Sequence, residues 1–154
     1  MGYAVKLQKG GTQIYNDDKV NVTLSGSHSG TFTFSVCYVS KTKICLLSDT
    51  SMGTVSCANA TSYSWNWDLK LGGKRYKSSD TGQSAAKIPT LENMVNECSN
   101  YYRGFNYGFS TLGYSGAEYW GVSSNYGGGN KMIWARAFNS SATTAVVPYI
   151  SVKV

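Results

Sequence analysis

The chain has 154 residues, of which 42% are hydrophobic and 14% charged, and its formal net charge is +6. This balance excludes a disordered chain and predicts one domain, or one domain with an appendage. The sequence contains no apolar run of membrane-spanning length and no apolar export segment behind a basic start, so we expect neither an anchor nor a visible export signal.

The whole chain contains 17 glycines and 12 tyrosines, a composition that favours strands and turns over helices. Short strands separated by turns are predicted for its first half. The clearest strand follows the SGSHSG loop, where Phe32, Phe34, Val36 and Tyr38 alternate with Thr, Ser and Cys and therefore face a core. Ile44 and Leu46 continue the pattern after a turn. The other expected strands cover residues 3–8, 12–15, 19–24 and 52–57, and a hairpin joins 63–71 to 74–77 around a Gly-Gly turn.

One helix is predicted, over about residues 90–100. Apolar residues recur at i, i+3, i+4 and i+7 from Leu91 to Cys98, and Thr90 is placed to cap the first turn. Residues 101–138 then contain 11 of the 21 aromatic residues, interleaved with glycine and asparagine. The chain is expected to end on two strands, 133–138 and 145–152, paired with each other.

Four segments, KIPTLENMV, GFSTLGY, AEYWGVSSNY and WARAF, occur in an order that resembles the Fibrobacter succinogenes major paralogous domain and the Lcl-like C-terminal domains. The resemblance covers about residues 60–154. It implies an α+β, β-rich fold of the C-type-lectin-like class, with one clear helix at about 90–100, preceded by a β-strand N-terminal part. The corresponding division is a β-rich attachment region at 1–55 and a lectin-like domain at 56–154.

The same resemblance assigns structural roles to individual residues. Pro89 and Thr90 would begin the helix, Leu91 and Met94 would face the sheet, and the final strands would contribute core aromatics, namely Tyr119, Trp120 and Trp134. The ending PYISVKV departs from the Arg/Cys-containing strand usual in these families. The N-terminal stretch KLQKGGTQIYNDDKV resembles attachment segments of small structural proteins of phages that infect gut bacteria, which implies a place on the virion.

Metal, cofactor and catalytic sites are not expected. The four cysteines lack CxxC spacing, and His28 is the only histidine, so no zinc set is available. His28 lies in a Ser/Gly loop, where an exposed and non-catalytic residue is expected, and the calcium motifs of sugar-binding lectins are missing. Cys37 and Cys45 either face each other across a hairpin as a disulfide or remain buried thiols.

A ligand-binding surface is predicted instead in the loops that follow the helix. Tyrosine, serine, glycine and asparagine form adaptable binding surfaces, because tyrosine supplies rigid contact area and glycine permits unusual turns. The candidate ligand-binding residues are Tyr102, Arg103, Asn106, Tyr107, Tyr114, Asn125, Tyr126 and Asn130.

These features together predict a non-enzymatic virion surface protein, a head fibre, decoration or tail-associated protein that binds a host-surface glycan or protein. The N-terminal region would contact other virion proteins, and a homo-oligomer, most readily a trimer, is expected. The alternatives are a purely structural virion component, or an extracellular adhesin domain on a bacterial surface. No membrane partner is expected, and nucleic acid is the least favoured ligand: the basic cluster Lys70, Lys74, Arg75 and Lys77 is interpreted as a solvated hairpin.

Overall fold

The computed structural model describes residues 4–6, 13–90, 93, 96–97, 118–123, 131–136 and 143–154, and most of this backbone is extended. A 3-10 helix spans Cys57–Ser62. In chain order the strands are β1 Ala4–Lys6, β2 Gln13–Tyr15, β3 Lys19–Gly26, β4 Gly30–Val39, β5 Lys43–Ser48, β6 Thr54–Ser56, β7 Trp65–Leu71, β8 Lys74–Lys77, β9 Glu118–Ser123, β10 Lys131–Arg136, β11 Thr143–Ala145 and β12 Tyr149–Lys153.

Six of these strands form one curled antiparallel sheet in the order β12-β5-β4-β3-β7-β8. Two consecutive residues join its opposite sides: Ala86 pairs with Trp65 of β7, and Lys87 pairs with Tyr149 of β12. Each pair exchanges two backbone hydrogen bonds, at 2.8 and 3.0 Å for Ala86 with Trp65 and at 2.8 and 3.3 Å for Lys87 with Tyr149. The sheet is thereby closed on itself, which leaves less unpaired backbone along its edges.

A side chain continues this closure along β12. The Gln83 amide group donates from Nε2 to the Lys153 carbonyl at 2.8 Å and accepts at Oε1 from the Lys153 N–H at 3.0 Å. One glutamine therefore takes the place of a strand residue at this position.

The core of the sheet follows from the two-residue period of its strands. In β7, Trp65, Trp67, Leu69 and Leu71 are buried, and the residues between them are exposed or half-buried. Burial of each such side chain contributes about 1.5–3 kcal/mol. The other strands add further buried residues to this inner face: Val22, Leu24, Phe34, Val36, Ile44, Leu46, Ile150 and Val152.

The predicted hairpin turn between β7 and β8 is confirmed. Gly72 and Gly73 have φ angles of 59° and 82°, the left-handed values that a two-residue hairpin turn of type I′ requires. Glycine adopts these angles without a steric cost. The turn sets the register of the hairpin, with Leu71 opposite Lys74 and Lys70 opposite Arg75.

The β4–β5 hairpin contains a bulge that the alternating pattern does not reveal. The register shifts between Val36 and Tyr38, so that Tyr38, not Cys37, lies opposite Cys45. Both thiols are buried, and the Cys45 thiol lies 3.8 Å from the hydroxyl of Ser151. Ser35, Val36 and Cys37 are all buried, and because successive side chains of a strand point to opposite faces, this part of β4 is covered on both faces of the sheet.

The chain divides into two compact units. The first consists of Met1–Thr50, Ser64–Lys87 and Val147–Val154, and the second of Ser51–Tyr63 and Ile88–Val146. The second unit is thus formed by two segments inserted into the first, whereas the sequence predicts one division after residue 55.

The strands of the second unit pair among themselves. β6 pairs with β11 and β9 pairs with β10, which makes Trp120 and Trp134 Cα partners. The predicted pairing of the last two strands with each other is therefore wrong, because β10 pairs with β9 and β12 with β5.

The predicted α+β, C-type-lectin-like fold with one clear helix at 90–100 is also wrong. In the described part of the chain, α-helical backbone occurs only at Asn93, Asn96 and Glu97, and no α-helix reaches seven residues. The capping interaction does form, because Thr90 Oγ1 accepts from the Asn93 N–H at 3.1 Å, and the Thr90 N–H donates to Asn93 Oδ1 at 3.0 Å. A cap and two turns of apolar periodicity are insufficient where three asparagines among the eleven residues 90–100 lower the helix propensity.

Candidate binding surface

The closed sheet has an outer face, which is formed by side chains that alternate with its core residues. On β3, β7, β8 and the first part of β4, hydroxyl, amide and charged groups occupy these positions, and all of them are exposed or half-buried. Thr23, for example, lies opposite Thr31 on one side and Asp68 on the other. The outer face consists of Lys19, Asn21, Thr23, Ser25, Thr31, Thr33, Asn66, Asp68, Lys70, Arg75 and Lys77.

Three side chains at one end of the outer face form a hydrogen-bonded network. The Lys19 ammonium donates to Ser35 Oγ at 2.6 Å and to Asp49 Oδ2 at 2.9 Å, and Ser35 Oγ donates to Asp49 Oδ1 at 2.6 Å. A serine beside a lysine is also the arrangement of some nucleophilic enzymes. Ser35 is only 1% exposed, however, and its hydroxyl hydrogen is directed to a carboxylate, so the geometry favours a structural link between β3, β4 and the residue that follows β5.

At the other end, Asp68, Lys70, Arg75 and Lys77 form a cationic surface that we call the hairpin face. Lys77 lies opposite Asp68, and Arg75 lies opposite Lys70. Arg75 Nε donates to Asp68 Oδ1 at 2.9 Å, and Arg75 Nη2 donates to the second carboxylate oxygen, which makes the pair bidentate. The side chains of Arg75 and Asp68 are 59% and 35% exposed, so solvent reaches both partners.

The electrostatics of the hairpin face centre on Asp68. The hydrogen bond from Arg75 is the main reason that the pKa of Asp68 lies below its ordinary value; burial opposes this shift, and the charges of Arg75, Lys77 and Lys70 add to it. The same hydrogen bond raises the pKa of Arg75, with help from the charges of Asp68 and Asp80. One carboxylate thus lies in the field of three cations.

Lys74 belongs to the opposite side of β8. Its ammonium lies 5.0 Å from the centroid of the Tyr76 ring, within the range of a cation–π contact. Tyr76 is buried, and burial raises the pKa of its hydroxyl. The four-residue cluster Lys70, Lys74, Arg75 and Lys77 of the sequence is therefore divided between two faces, three members on the hairpin face and one beside Tyr76.

His28 differs from the exposed loop residue that the sequence predicts. It is half-buried, and its ring stacks on the Trp65 ring with a centroid separation of 6.1 Å and an interplanar angle of 24°. Asn66 and Asp68, in a WNWD stretch that superficially resembles a lectin calcium motif, point to the outer face, and Asp68 is bound by Arg75. Neither feature assembles a catalytic or calcium site.

All eight predicted ligand-binding residues lie outside the described residues: Tyr102, Arg103, Asn106, Tyr107, Tyr114, Asn125, Tyr126 and Asn130. The structure does define where their segment, Ile88–Val146, leaves and rejoins the first unit. It begins directly after Lys87 and ends three residues before Tyr149, and Lys87 and Tyr149 are paired by backbone hydrogen bonds. The segment is therefore attached at adjacent positions of the closed sheet.

Sequence reasoning missed the Asp68–Arg75 pair. The signal was present, because a two-residue turn at Gly72-Gly73 fixes the hairpin register and places residues 68, 70, 75 and 77 on one face. The sequence does not show which cation binds Asp68. Lys77 lies directly opposite Asp68, but the bond is made by Arg75, which lies diagonally across from it.

Two features are absent from the residues that the structure describes. No three or more His, Cys, Asp or Glu side chains among them converge in a way that holds a metal ion. None of the helices found there is long and apolar enough to cross a membrane.

No family model, curated protein or solved structure matches the chain significantly. The resemblance to the Fibrobacter succinogenes major paralogous and Lcl-like domains thus stays a prediction, whereas the fold that it implied is corrected above.

Proposed function

We propose that this protein is a non-enzymatic binding module, displayed on a phage virion, that engages a bacterial surface glycan through its inserted segment Ile88–Val146. In this proposal the closed sheet is the scaffold and the inserted segment supplies the contact residues. Weak single-site affinity would be raised by display of several copies.

The observation that carries the proposal is the attachment of the inserted segment. The chain leaves the first unit after Lys87 and returns to it at Val147, two residues before Tyr149, and Tyr149 is the backbone partner of Lys87. Binding residues are disproportionately found on chain segments held by a rigid scaffold. The segment's composition is that of an adaptable binding surface, since 11 of the chain's 21 aromatic residues fall in residues 101–138 among glycine and asparagine.

The virion location is supported by the N-terminal stretch and its resemblance to phage attachment segments. Lys19 to Gly26 is part of the closed sheet, so the attachment role falls on the residues before it. A purely structural virion component and a bacterial surface adhesin are the two alternatives, and each gives a different experimental outcome.

The test is binding of the purified protein to an array of bacterial surface polysaccharides and to intact gut bacteria, at moderate salt with a chelator present. We expect saturable binding that falls at least about tenfold in Tyr126→Ala, the loss typical of a tyrosine anchor. Tyr15→Ala is the matched control, because Tyr15 is 37% exposed on β2, outside the inserted segment.

Detection of the protein in purified phage particles separates the alternatives. Binding without presence in particles supports an adhesin, and presence without binding supports a structural component. Either result contradicts the proposal as stated.

A further inference from the structure

We propose that the hairpin face is a second binding surface, specific for acidic polysaccharide, that is chains bearing carboxylate or sulfate groups. It is separate from the inserted segment and does not depend on the function proposed above. Its cationic side chains are Lys70, Arg75 and Lys77, on two adjacent strands of the first unit.

The register of the β7–β8 hairpin places like charges opposite each other. Lys70 and Arg75 lie directly opposite each other, an arrangement of like charges that destabilises an antiparallel pair. Lys70 and Lys77 lie diagonally, about 7–8 Å apart at their Cα positions, which brings a third positive charge within reach of the same ligand. An anionic ligand bound at this face would relieve the repulsion between these cations.

Asp68 neutralises the cluster only in part. Its bidentate bond occupies the Arg75 guanidinium, while the Lys70 side chain remains exposed and that of Lys77 half-buried. Asp80, whose carboxylate accepts from the Lys77 N–H at 3.0 Å, is the other acidic group that acts on Arg75. Asp68 is thus an internal competitor for the position that a ligand carboxylate or sulfate would take.

The neighbouring outer-face residues favour a sugar chain over nucleic acid. Thr23, Ser25 and Asn66 continue the surface from Asp68 across β7 and β3, and their hydroxyl and amide groups suit hydrogen bonds to sugar hydroxyls. Single-stranded nucleic acid is normally held by aromatic side chains on which bases stack. The outward positions of β3, β7 and β8 carry Lys, Asn, Thr, Ser, Asp and Arg, so this surface offers no stacking platform.

The experiment measures affinity of the full chain for hyaluronan and chondroitin sulfate across a salt series, with neutral dextran and single-stranded DNA as comparison ligands. We expect Lys70→Gln/Lys77→Gln to weaken binding about tenfold and to make the fall of affinity with rising salt less steep, because two charges that attract the ligand are removed. The matched control is Lys41→Gln/Lys153→Gln, which removes the same charge from exposed sites elsewhere on the first unit. It should change affinity less than about twofold, because salt screens the effect of charges far from the hairpin face.

A third variant tests the competitor role of Asp68. Asp68→Asn should strengthen binding several-fold, because it releases the Arg75 guanidinium to the ligand. A general loss of folding would weaken binding in every variant, so this gain distinguishes the proposal from a structural effect.

Several outcomes overturn the proposal. They are absent binding to both acidic polysaccharides, equal losses in the hairpin and control variants, or tighter binding to DNA than to the glycans at the same salt. Hyaluronan and chondroitin sulfate report on the hairpin face and the bacterial polysaccharide array on the inserted segment, so that failure of the hairpin site and failure of the inserted-segment site are separate results.

Discussion

Gly26 offers the sharpest test of the fold, because two independent features exclude a side chain there. Its φ angle is +112°, and a Cβ would lie 2.7 Å from the backbone carbonyl oxygen of Ser64. The backbone strain of a non-glycine residue at such an angle costs about 1–3 kcal/mol. The steric overlap adds about 1–3 kcal/mol, because the obstacle is a backbone atom at the point where β3 meets β7.

Gly73 is the matched control, since its φ is +82° but nothing lies within 4 Å of its Cβ position. We expect Gly26→Ala to lower the free energy of unfolding by about 3–5 kcal/mol and Gly73→Ala by about 1–2 kcal/mol. Urea unfolding followed by the fluorescence of the buried tryptophans Trp65 and Trp67 measures both. If Gly26→Ala is no more destabilising than Gly73→Ala, the β3–β7 register described here is refuted.

Two further predictions concern individual hydrogen bonds. Trp67→Phe should lower the free energy of unfolding by about 1–3 kcal/mol, because it removes the hydrogen bond from the indole N–H to the Ser84 carbonyl at 2.8 Å and puts a smaller ring at a buried position. The midpoint of urea unfolding measures this loss, and an unchanged midpoint would contradict it. Arg75→Gln should raise the pKa of Asp68 in an NMR titration. Since that pKa is lowered in the folded state, the pair stabilises the fold above the ordinary aspartate pKa, and this contribution is lost as the pH falls through the lowered value. The effect on the free energy of unfolding should be small because the pair is exposed. If that free energy depends on pH equally in wild type and variant at every salt concentration, the pair does not contribute to stability.

Much of the sheet could be predicted, because its strands carry their own local signal. The alternation from Phe32 to Tyr38 identifies β4, and the apolar positions of β7 alternate with polar ones from Trp65 to Leu71. The Gly-Gly turn gives both the β7–β8 hairpin and its register. These features depend on residues close in sequence, where the two-residue period is strong.

The closure of the sheet could not be predicted, because it depends on partners far apart in sequence. Ala86 and Lys87 lie in a stretch without strand alternation, yet they pair with Trp65 and Tyr149. The helix error has a related cause. A periodicity of apolar residues indicates an amphipathic helix but does not outweigh low helix propensity over so short a segment.

The candidate sites, like the sheet, could be predicted from the sequence only in part. The basic residues of the hairpin were visible in the sequence, but their separation onto two faces and the bond from Arg75 to Asp68 needed the register and the side-chain geometry. The ligand-binding residues proposed in the inserted segment remain predictions, and the structure contributes the position at which that segment joins the scaffold.

The central claim is that the protein binds surface glycans through the segment inserted after Lys87. The most direct measurement is a set of binding isotherms for wild type, Tyr126→Ala and Lys70→Gln/Lys77→Gln on the best bacterial polysaccharide from the array, at moderate salt. We expect saturable binding that Tyr126→Ala weakens at any salt concentration, while Lys70→Gln/Lys77→Gln weakens it only when the glycan is acidic. Absence of saturable binding to every polysaccharide and cell tested, by a folded wild-type protein, would contradict a glycan-binding role for the inserted segment.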